Sequence, residues 1–247
     1  MTTIDRPWQD AVLAVLGLFL PVACAGCGAP DRALCSACRN ALAAEPRRVR
    51  LVAGVRLDAA FEYARLVRTV LLELKLRGRV DLARPLGTRF GALVRTALAE
   101  APPGTVLLRV PPSRRGARRR GFDPVVLLLA RGGVRRPRAL GRARRGHGSR
   151  SQELGAAGHG AGRREPGAGG PGTRGRRRRG AGQKERTAVE RVEATVGTLR
   201  ATGVRGRDVV VVDDVVTTGV TMAEAVRAVR TGGGRVVRCV AVASVDD

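Results

Sequence analysis

The chain has 247 residues, enough for one α/β domain and a small additional segment. Hydrophobic residues make up 44% of the chain, which excludes a protein without a hydrophobic core. Aromatic residues make up only 2%, so the core is predicted to consist of Val, Leu and Ala. The formal net charge of +25 favours polyanions as partners.

The first predicted element is a short core helix over residues 11–23, an apolar stretch interrupted by Gly17 and Pro21. This stretch is too short for a transmembrane helix, which needs roughly 20 residues. A signal peptide is disfavoured because acidic residues flank Arg6, the one early basic residue. We therefore expect no transmembrane segment and a cytoplasmic protein.

Four of the five cysteines form two C-x2-C pairs with seven residues between them, at Cys24, Cys27, Cys35 and Cys38. Four thiolates match the tetrahedral preference of Zn²⁺ and leave no coordination position open, so the pattern predicts a structural zinc site. Disulfides and thioredoxin-like redox chemistry are the competing interpretations. A reducing cytosol disfavours the first, and neither pair follows a strand of a βαβ unit, which disfavours the second.

The next stretch predicts a half-buried strand over residues 55–64 and a helix over 66–76 that stops at Gly78. Lys75 lies near the end of this helix. It either contacts a ligand or is simply a favourable charge at a helix C-terminus, and the two interpretations are equally good. A second helix is expected to be capped by Asp81 and to continue to about Ala99, bent near Pro85.

An apolar strand over residues 105–110 is broken by Pro111 and Pro112. Ser113 and Arg114 follow, and then a cluster of arginines that includes Arg118, Arg119 and Arg120. The stretch predicts either a loop that brings cations to an anionic ligand or a solvated basic loop.

Residues 131–182 form an Arg/Gly-rich segment, with 16 Gly and 15 Arg among 52 residues. Such a composition buries too little apolar area to offset the entropy of the chain, so we expect disorder. One explanation is a loop that binds nucleic acid. The other, which we favour, is a segment translated out of frame between two compensating insertions or deletions, because GC-rich DNA yields Arg, Gly, Ala and Pro in the wrong register.

The last part of the chain predicts a helix over residues 187–200, a strand from Asp208, a helix over 222–230 and a closing strand over 235–245. The unbroken run of valines at 209–212 is typical of a strand buried on both faces of a parallel sheet. Ligands bind at the carboxyl edge of such sheets, so the turn after this strand is the predicted binding site.

This turn begins with Asp213 and Asp214 and continues with small residues and a helix start. Backbone N–H groups, hydroxyls and a helix N-terminus suit a phosphate, and Gly219 allows close approach of the backbone. Two carboxylates beside a dianion are tolerable only with a cation or hydroxyl donors between them, which sugar hydroxyls and Mg²⁺ would supply. A buried strand that ends in a capped turn is the alternative.

The sequence at 209–219 resembles the phosphoribosyl-pyrophosphate (PRPP) signature of type I phosphoribosyltransferases. It consists of four hydrophobic residues, Asp-Asp, two hydrophobic residues and Thr-Thr-Gly. The resemblance implies that Asp213 and Asp214 contact the ribose 2′- and 3′-hydroxyls. It also implies that residues 215–221 hold the 5′-phosphate, with Val215, Val216, Thr217, Thr218, Gly219 and Thr221 as the binding residues.

The order of motifs along the chain is similar to that of ComF-type competence proteins. The motifs are the four cysteines, Lys-Leu-Arg-Gly at 75–78, Val-Pro-Pro-Ser-Arg at 110–114, Arg-Arg-Gly-Phe-Asp at 119–123 and the Asp-Asp-Val-Val-Thr-Thr-Gly strand. The resemblance covers roughly residues 8–130 and 183–245. It implies that Pro112, Ser113 and Arg114 belong to a pyrophosphate loop, and that the protein serves the uptake or use of external DNA.

The expected fold is an α/β, doubly wound parallel sheet of type I phosphoribosyltransferase type with a small N-terminal four-cysteine zinc knuckle. Residues 1–45 would hold the N-terminal helix and the knuckle, and residues 50–247 the phosphoribosyltransferase-like domain.

The expected function is PRPP binding with Mg²⁺, and transfer of the ribosyl 5-phosphate group if the domain is catalytic. The alternative is a non-catalytic module for single-stranded DNA handling or regulation of competence, in which Arg118, Arg119 and Arg120 contact phosphates.

Overall fold

The structure, a computed structural model, describes residues 22–30, 32–143 and 195–245. The predicted helix over residues 11–23 lies almost entirely outside these ranges. Most of the Arg/Gly-rich segment does so as well.

Eight strands are described: β1 (Arg48–Val52), β2 (Val55–Glu62), β3 (Val106–Arg109), β4 (Arg138–Ala139), β5 (Gly141–Arg142), β6 (Leu199–Arg200), β7 (Asp208–Val216) and β8 (Arg235–Ser244). Six of them form the central sheet in the order β1-β2-β8-β7-β3-β4. Every neighbouring pair in this sheet is parallel except β1 and β2. β5 and β6 form a separate antiparallel pair. The mostly parallel sheet confirms the predicted α/β class.

Six α-helices are described: α1 (Ser36–Ala44), α2 (Arg65–Arg77), α3 (Ala83–Ala99), α4 (Arg114–Arg120), α5 (Pro124–Arg131) and α6 (Val220–Thr231). A 3-10 turn over Val80–Leu82 separates α2 from α3. No helix in the described ranges is both long enough and apolar enough to cross a membrane.

The sheet is buried on both faces. Along β7, Val210 and Val212 pack into the core that contains α2, α3 and α5, whereas Val209 and Val211 pack into the core that contains α6. All four valines have no exposed surface. This arrangement is the reason for their unbroken hydrophobic run, because a strand covered by helices on both faces has no polar side.

Several predicted boundaries are confirmed. Helix α2 ends at Gly78, which adopts the left-handed conformation with φ of 69°. The strands predicted at 55–64, 105–110 and 235–245 correspond to β2, β3 and β8. β7 is longer than expected, because it continues through both aspartates to Val216.

Three local predictions are wrong. Asp81 does not cap α3, because it lies in the 3-10 turn and pairs with Arg79. The arginine cluster after Ser113 is not a loop but the helix α4, which the Ser113 hydroxyl caps by accepting a hydrogen bond from Gly116 N. The helix expected over 187–200 does not reach its predicted end, because Leu199–Arg200 form β6.

Residues 132–143 belong to the segment that was expected to be disordered, yet they contain β4 and β5. β4 pairs with β3 at the edge of the central sheet, and Leu140 beside it is 3% exposed. Pairing with an existing strand orders these residues despite their composition.

Helices α3 and α5 approach each other backbone to backbone. A Cβ atom added at Gly91 would lie 2.5 Å from the carbonyl oxygen of Gly132, and one added at Gly87 would lie 2.3 Å from that of Leu128. Only glycine permits this contact, which packs the end of α5 and the residue that follows it against α3.

We expect Gly91→Ala to lower the free energy of unfolding by about 1–3 kcal/mol, because the new methyl group forces the two helices apart. Chemical denaturation measures this change. Thr96→Ala, at an exposed position of the same helix, is the control and should change stability by less than about 0.5 kcal/mol. Equal stability of the two variants would contradict the close contact.

Candidate functional site

A cleft of about 530 Å³ lies at the carboxyl ends of β3 and β7. It is bounded by the end of α2, the turn after β3, the start of α5, the β5-β6 pair and the start of α6. Its polar lining residues are Lys75, Ser113, Arg120, Asp123, Arg142, Thr195, Thr198, Asp213, Asp214 and Thr221. The cleft thus occupies the edge of the sheet at which the sequence placed the site.

The two predicted carboxylates lie together in this cleft. Asp213 and Asp214 are the sixth and seventh residues of β7, and both are half-buried. Lys75 Nζ forms an ion pair of 2.8 Å with Asp214 Oδ2, and the two side chains are only 22% and 18% exposed. Lys75 therefore pairs directly with Asp214 and acts on Asp213 through its charge.

The pKa of Asp213 is raised well above its ordinary value. Burial in the cleft is the largest cause, because it disfavours the charged form, and the neighbouring charge of Asp214 adds to it. The amide N–H of Asp214 and the charge of Lys75 act in the opposite direction without cancelling the effect. A cation placed next to this carboxyl group would therefore favour its ionised form.

Residues Thr217, Thr218 and Gly219 form a loop that leads directly into α6. Together with the first residues of α6 they enclose a small pocket of about 30 Å³, which Val216 and Thr221 also line. Gly219 has φ of 75°, and Arg50 Nη2 on β1 donates to the Thr217 carbonyl at 2.8 Å. The 217–219 loop is therefore fixed from the side of the β1-β2 hairpin.

The turn after β3, residues 110–113, forms the opposite wall. Its base is held by Arg109, which pairs with Asp123, while Asp123 also accepts hydrogen bonds from the N–H groups of Val125 and Val126. The buried ion pair thereby ties the turn to the start of α5.

Only part of the predicted arginine cluster reaches the cleft. Arg120 lines it, and its Nε is buried without a hydrogen-bond partner in the described ranges. Arg114, Arg118 and Arg119 are exposed on α4 and are not among the lining residues.

Five of the polar residues that line the cleft were not among the predicted site residues: Lys75, Asp123, Arg142, Thr195 and Thr198. For Lys75, a favourable charge at a helix C-terminus was as good an explanation as a ligand contact. Its Lys-Leu-Arg-Gly motif could have indicated a role in the site. Arg142 lies in the Arg/Gly-rich segment that was expected to be disordered. Its Nη2 donates to the carbonyls of Pro111 and Pro112 at 3.2 and 2.6 Å. No pattern in the sequence singles it out from the other arginines around it.

The four predicted metal ligands form a separate cluster. The Sγ atoms of Cys24, Cys27, Cys35 and Cys38 all lie within 4.8 Å of one another. A tetrahedral zinc site with Zn–S bonds of about 2.3 Å has S–S distances of about 3.8 Å. The Cys27–Cys35 distance of 3.6 Å is close to that value.

The chemistry of the cluster also fits a cation. Burial disfavours the Cys24 thiolate, but backbone N–H groups, chiefly that of Cys35, outweigh this effect and lower the pKa of Cys24 to about 6. Hydrogen bonding to Cys35 and burial raise the pKa of Cys38 to about 12. The four thiols therefore do not all ionise at neutral pH unless a cation lies among them.

A glycine and an arginine fix this cluster in place. A Cβ atom at Gly26 would lie 2.6 Å from Cys38 Sγ, so the turn between the first two cysteines requires glycine. Arg79 Nη1 donates to the carbonyl of Ala23 at 2.8 Å, and Cys24 and Leu34 are buried against the core that contains α2 and α3. The cysteine cluster is thus packed onto the α/β domain.

Comparison with known proteins adds one match. A family model described as "Phosphoribosyl transferase domain" matches residues 171–246. This part of the chain is similar to phosphoribosyl transferase domains. The match spans fewer than a third of the residues and includes β7, the 217–219 loop, α6 and β8. None of the curated proteins matches the chain.

We expect purified protein to contain about one zinc ion per chain and Cys38→Ser to lose it, because three thiolates and a hydroxyl bind zinc less tightly than four thiolates. Mass spectrometry under native conditions measures the metal content. The control is Cys239→Ala, which removes the buried fifth cysteine and should keep the metal. Metal-free wild-type protein that folds normally would contradict a structural metal.

We expect Asp213→Asn to raise the free energy of unfolding at pH 7. In the folded protein the pKa of Asp213 lies above that of the unfolded chain, so wild-type stability falls as pH rises from about 4 through the raised value. The asparagine avoids this loss, and the advantage of the variant should shrink towards pH 4. Denaturation curves at several pH values measure it.

Asp208→Asn is the matched control, because Asp208 lies at the other end of β7 and its pKa is lowered by the hydrogen bond from Arg235. This variant should be no more stable than wild type at pH 7. A loss of stability in Asp213→Asn at neutral pH would contradict the electrostatic account of the cleft.

Proposed function

We propose that the cleft binds PRPP and that the chain acts as a phosphoribosyltransferase-domain protein. The observation that carries this proposal is the succession at the end of β7: two half-buried carboxylates, a loop of small residues and the N-terminus of α6 within a single stretch. The carboxylates suit sugar hydroxyls as hydrogen-bond donors, and the loop and helix start suit a phosphate group. The match to residues 171–246 supports this assignment.

In this proposal Asp213 and Asp214 accept hydrogen bonds from the ribose 2′- and 3′-hydroxyls. Residues 215–219 and Thr221 hold the 5′-phosphate through backbone N–H groups and hydroxyls. Pro112, Ser113 and Arg120 lie on the pyrophosphate side, where Arg120 offers a buried Nε without a partner in the described ranges. Arg114 is the first residue of α4, directly after this turn, and would have to reorient to reach the cleft.

The proposed reaction transfers the ribosyl 5-phosphate group to an acceptor with loss of pyrophosphate. The C1–O bond to pyrophosphate breaks as positive charge develops on the sugar ring, and the electron pair leaves with the pyrophosphate. The protein therefore has to position charges rather than provide a nucleophile. Asp213 and Asp214 would lie close to this developing charge.

The donor set of the cleft also fits Mg²⁺, because the adjacent carboxylates of Asp213 and Asp214 provide the oxygen ligands that this ion prefers. When bound with PRPP, Mg²⁺ would neutralise the departing pyrophosphate. Lys75 would hold the Asp214 carboxylate in place beside the ligand through their ion pair.

The cysteine cluster is proposed to hold a structural zinc ion. Four thiolates leave no position for a substrate, so such a site stabilises the fold rather than performing chemistry. The core contacts of Cys24 and Leu34 support this role, because they join the cluster to α2 and α3.

At the cellular level we propose a cytoplasmic role in competence, that is, in the uptake or use of external DNA. The ordered motifs similar to ComF-type proteins support it. A second candidate is a non-catalytic module that handles single-stranded DNA, favoured by the exposed Arg114, Arg118 and Arg119 on α4 beside the cleft.

Calorimetric titration with Mg-PRPP tests the first proposal. Wild type should bind saturably, and Asp213→Ala should bind about 10- to 100-fold more weakly, because a hydrogen bond to a charged group contributes about 1.5–3 kcal/mol. Asp208→Asn should bind as wild type does. Unchanged affinity in folded Asp213→Ala would overturn the assignment of the carboxylates.

Single-stranded DNA binding tests the second candidate. Fluorescence anisotropy should show affinity that falls steeply with salt, and replacing Arg118 and Arg119 by Gln should reduce the slope of log K against log salt by about 0.7 for each lost phosphate contact. A slope that does not change in this double variant would contradict a role for α4 in phosphate contacts.

A further inference from the structure

A continuous series of contacts joins the two ends of the cleft. It starts on α6, the helix that follows the 217–219 loop, passes through β6 and β5, and ends on the turn at residues 110–113. We call it the bridge. Its members are Glu224, Arg227, Leu199, Arg142, Pro111 and Pro112.

The first half of the bridge is an ion pair between the buried Glu224 and the partly exposed Arg227, which together bind the backbone N–H and carbonyl of Leu199. Glu224 is 3% exposed and accepts hydrogen bonds from Arg227 Nε at 2.6 Å and Arg227 Nη2 at 2.9 Å. The same carboxylate accepts from Leu199 N at 2.9 Å, while Arg227 Nη2 donates to the Leu199 carbonyl at 3.3 Å. Leu199 is therefore fixed to α6 through its N–H and its carbonyl.

The second half of the bridge runs through the small antiparallel sheet. Leu199 on β6 is paired with Arg142 on β5. Arg142 Nη2 donates to the carbonyls of Pro111 and Pro112, as described above. Leu199 and Arg142 also line the cleft itself. The turn after β3 is thus connected to the helix that begins at the 217–219 loop.

The charged groups of the bridge fix its geometry. Hydrogen bonds to charged groups are shorter and stronger than neutral ones, and a buried carboxylate that loses its partners is costly. The pKa of Glu224 is held low against the effect of burial by Arg227 and by the Leu199 N–H. Glu224 therefore stays ionised at neutral pH, and none of its contacts depends on a ligand.

We propose that the bridge sets the distance between the 217–219 loop and the turn at residues 110–113. The cleft is thereby selective for a ligand that carries anionic groups at both ends of a sugar. This inference rests on the proposed function. It makes Glu224, Arg227 and Arg142 positioning residues, since their effect on the ligand is exerted through the two walls of the cleft.

The distinguishing expectation concerns ligand length. The affinity of a ligand that occupies one end of the cleft does not depend on the distance between the two ends. The affinity of a ligand that reaches both ends does depend on that distance. Loss of the bridge should weaken binding of PRPP and leave binding of ribose 5-phosphate and of pyrophosphate unchanged.

The experiment titrates all three ligands, each with Mg²⁺, into wild type, Arg142→Gln, Glu224→Gln and the double variant. Each single variant should bind PRPP about tenfold more weakly, because each removes a charged hydrogen bond from the bridge. The double variant should be little worse than either single variant, since one break already disconnects the two walls. Arg200→Gln is the matched control, because Arg200 lies on β6 with an exposed side chain.

Three outcomes would overturn the bridge. They are wild-type PRPP affinity in both single variants, an equal loss for all three ligands, and fully additive losses in the double variant. Wild-type protein that binds none of the ligands would instead refute the proposed function, and the inference with it.

Amide hydrogen exchange without ligand provides an independent reading of the contacts. Glu224→Gln should speed exchange in residues 195–200 and also in the peptide that contains residues 110–116. An increase confined to residues 195–200 would show that the contacts do not connect the two walls, and would also overturn the proposal.

Discussion

The central constraint on this structure is the placement of two carboxylates at the end of a strand that is buried on both faces. Asp213 and Asp214 lie half-buried side by side, and burial together with the charge of Asp214 raises the pKa of Asp213. An arrangement of like charges in a partly buried cleft costs stability, and such costs are characteristic of functional sites. The surrounding elements either hold these carboxylates in place or bring opposite charge towards them.

The sheet explains how the fold keeps the two carboxylates together although their repulsion lowers stability. The valines of β7 are buried between two cores, so the strand cannot shift to expose the aspartates further. Alternate residues of a strand point to opposite faces, which places Asp214 on the side of α2, where Lys75 meets it. The two walls of the cleft are held by contacts of their own, Arg50 to the 217–219 loop and Arg109 to Asp123. A cleft whose two adjacent carboxylates are partly buried and fixed in place is suited to a ligand that brings hydroxyl donors and a cation.

Features written in short stretches of sequence were predictable. The run at 209–212, the stop at Gly78 and the spacing of the cysteines each depend on neighbouring residues, and the structure agrees with all three. The edge strand β1 was not predicted, because its alternating arginines and exposed apolar residues become a strand only by pairing with β2. The helix α4 was missed for a related reason, since a run of arginines hides the capping role of Ser113.

The site was predictable where it follows one strand, and not where distant segments meet. Asp213 to Thr221 are contiguous, and they line the cleft or the small pocket beside it. Lys75 and Arg142 reach the cleft from residues far away in sequence, so only the fold brings them there. Arg142 illustrates the limit most clearly, because a two-residue strand inside an Arg/Gly-rich stretch has no signal of its own.

The most direct test of a PRPP cleft is phosphorus NMR of Mg-PRPP during titration with the protein. The account predicts that the 5-phosphate and the pyrophosphate resonances both broaden or shift, because each end of the ligand enters a different wall of the cleft. Unchanged resonances at a protein concentration above that of the ligand would contradict the account.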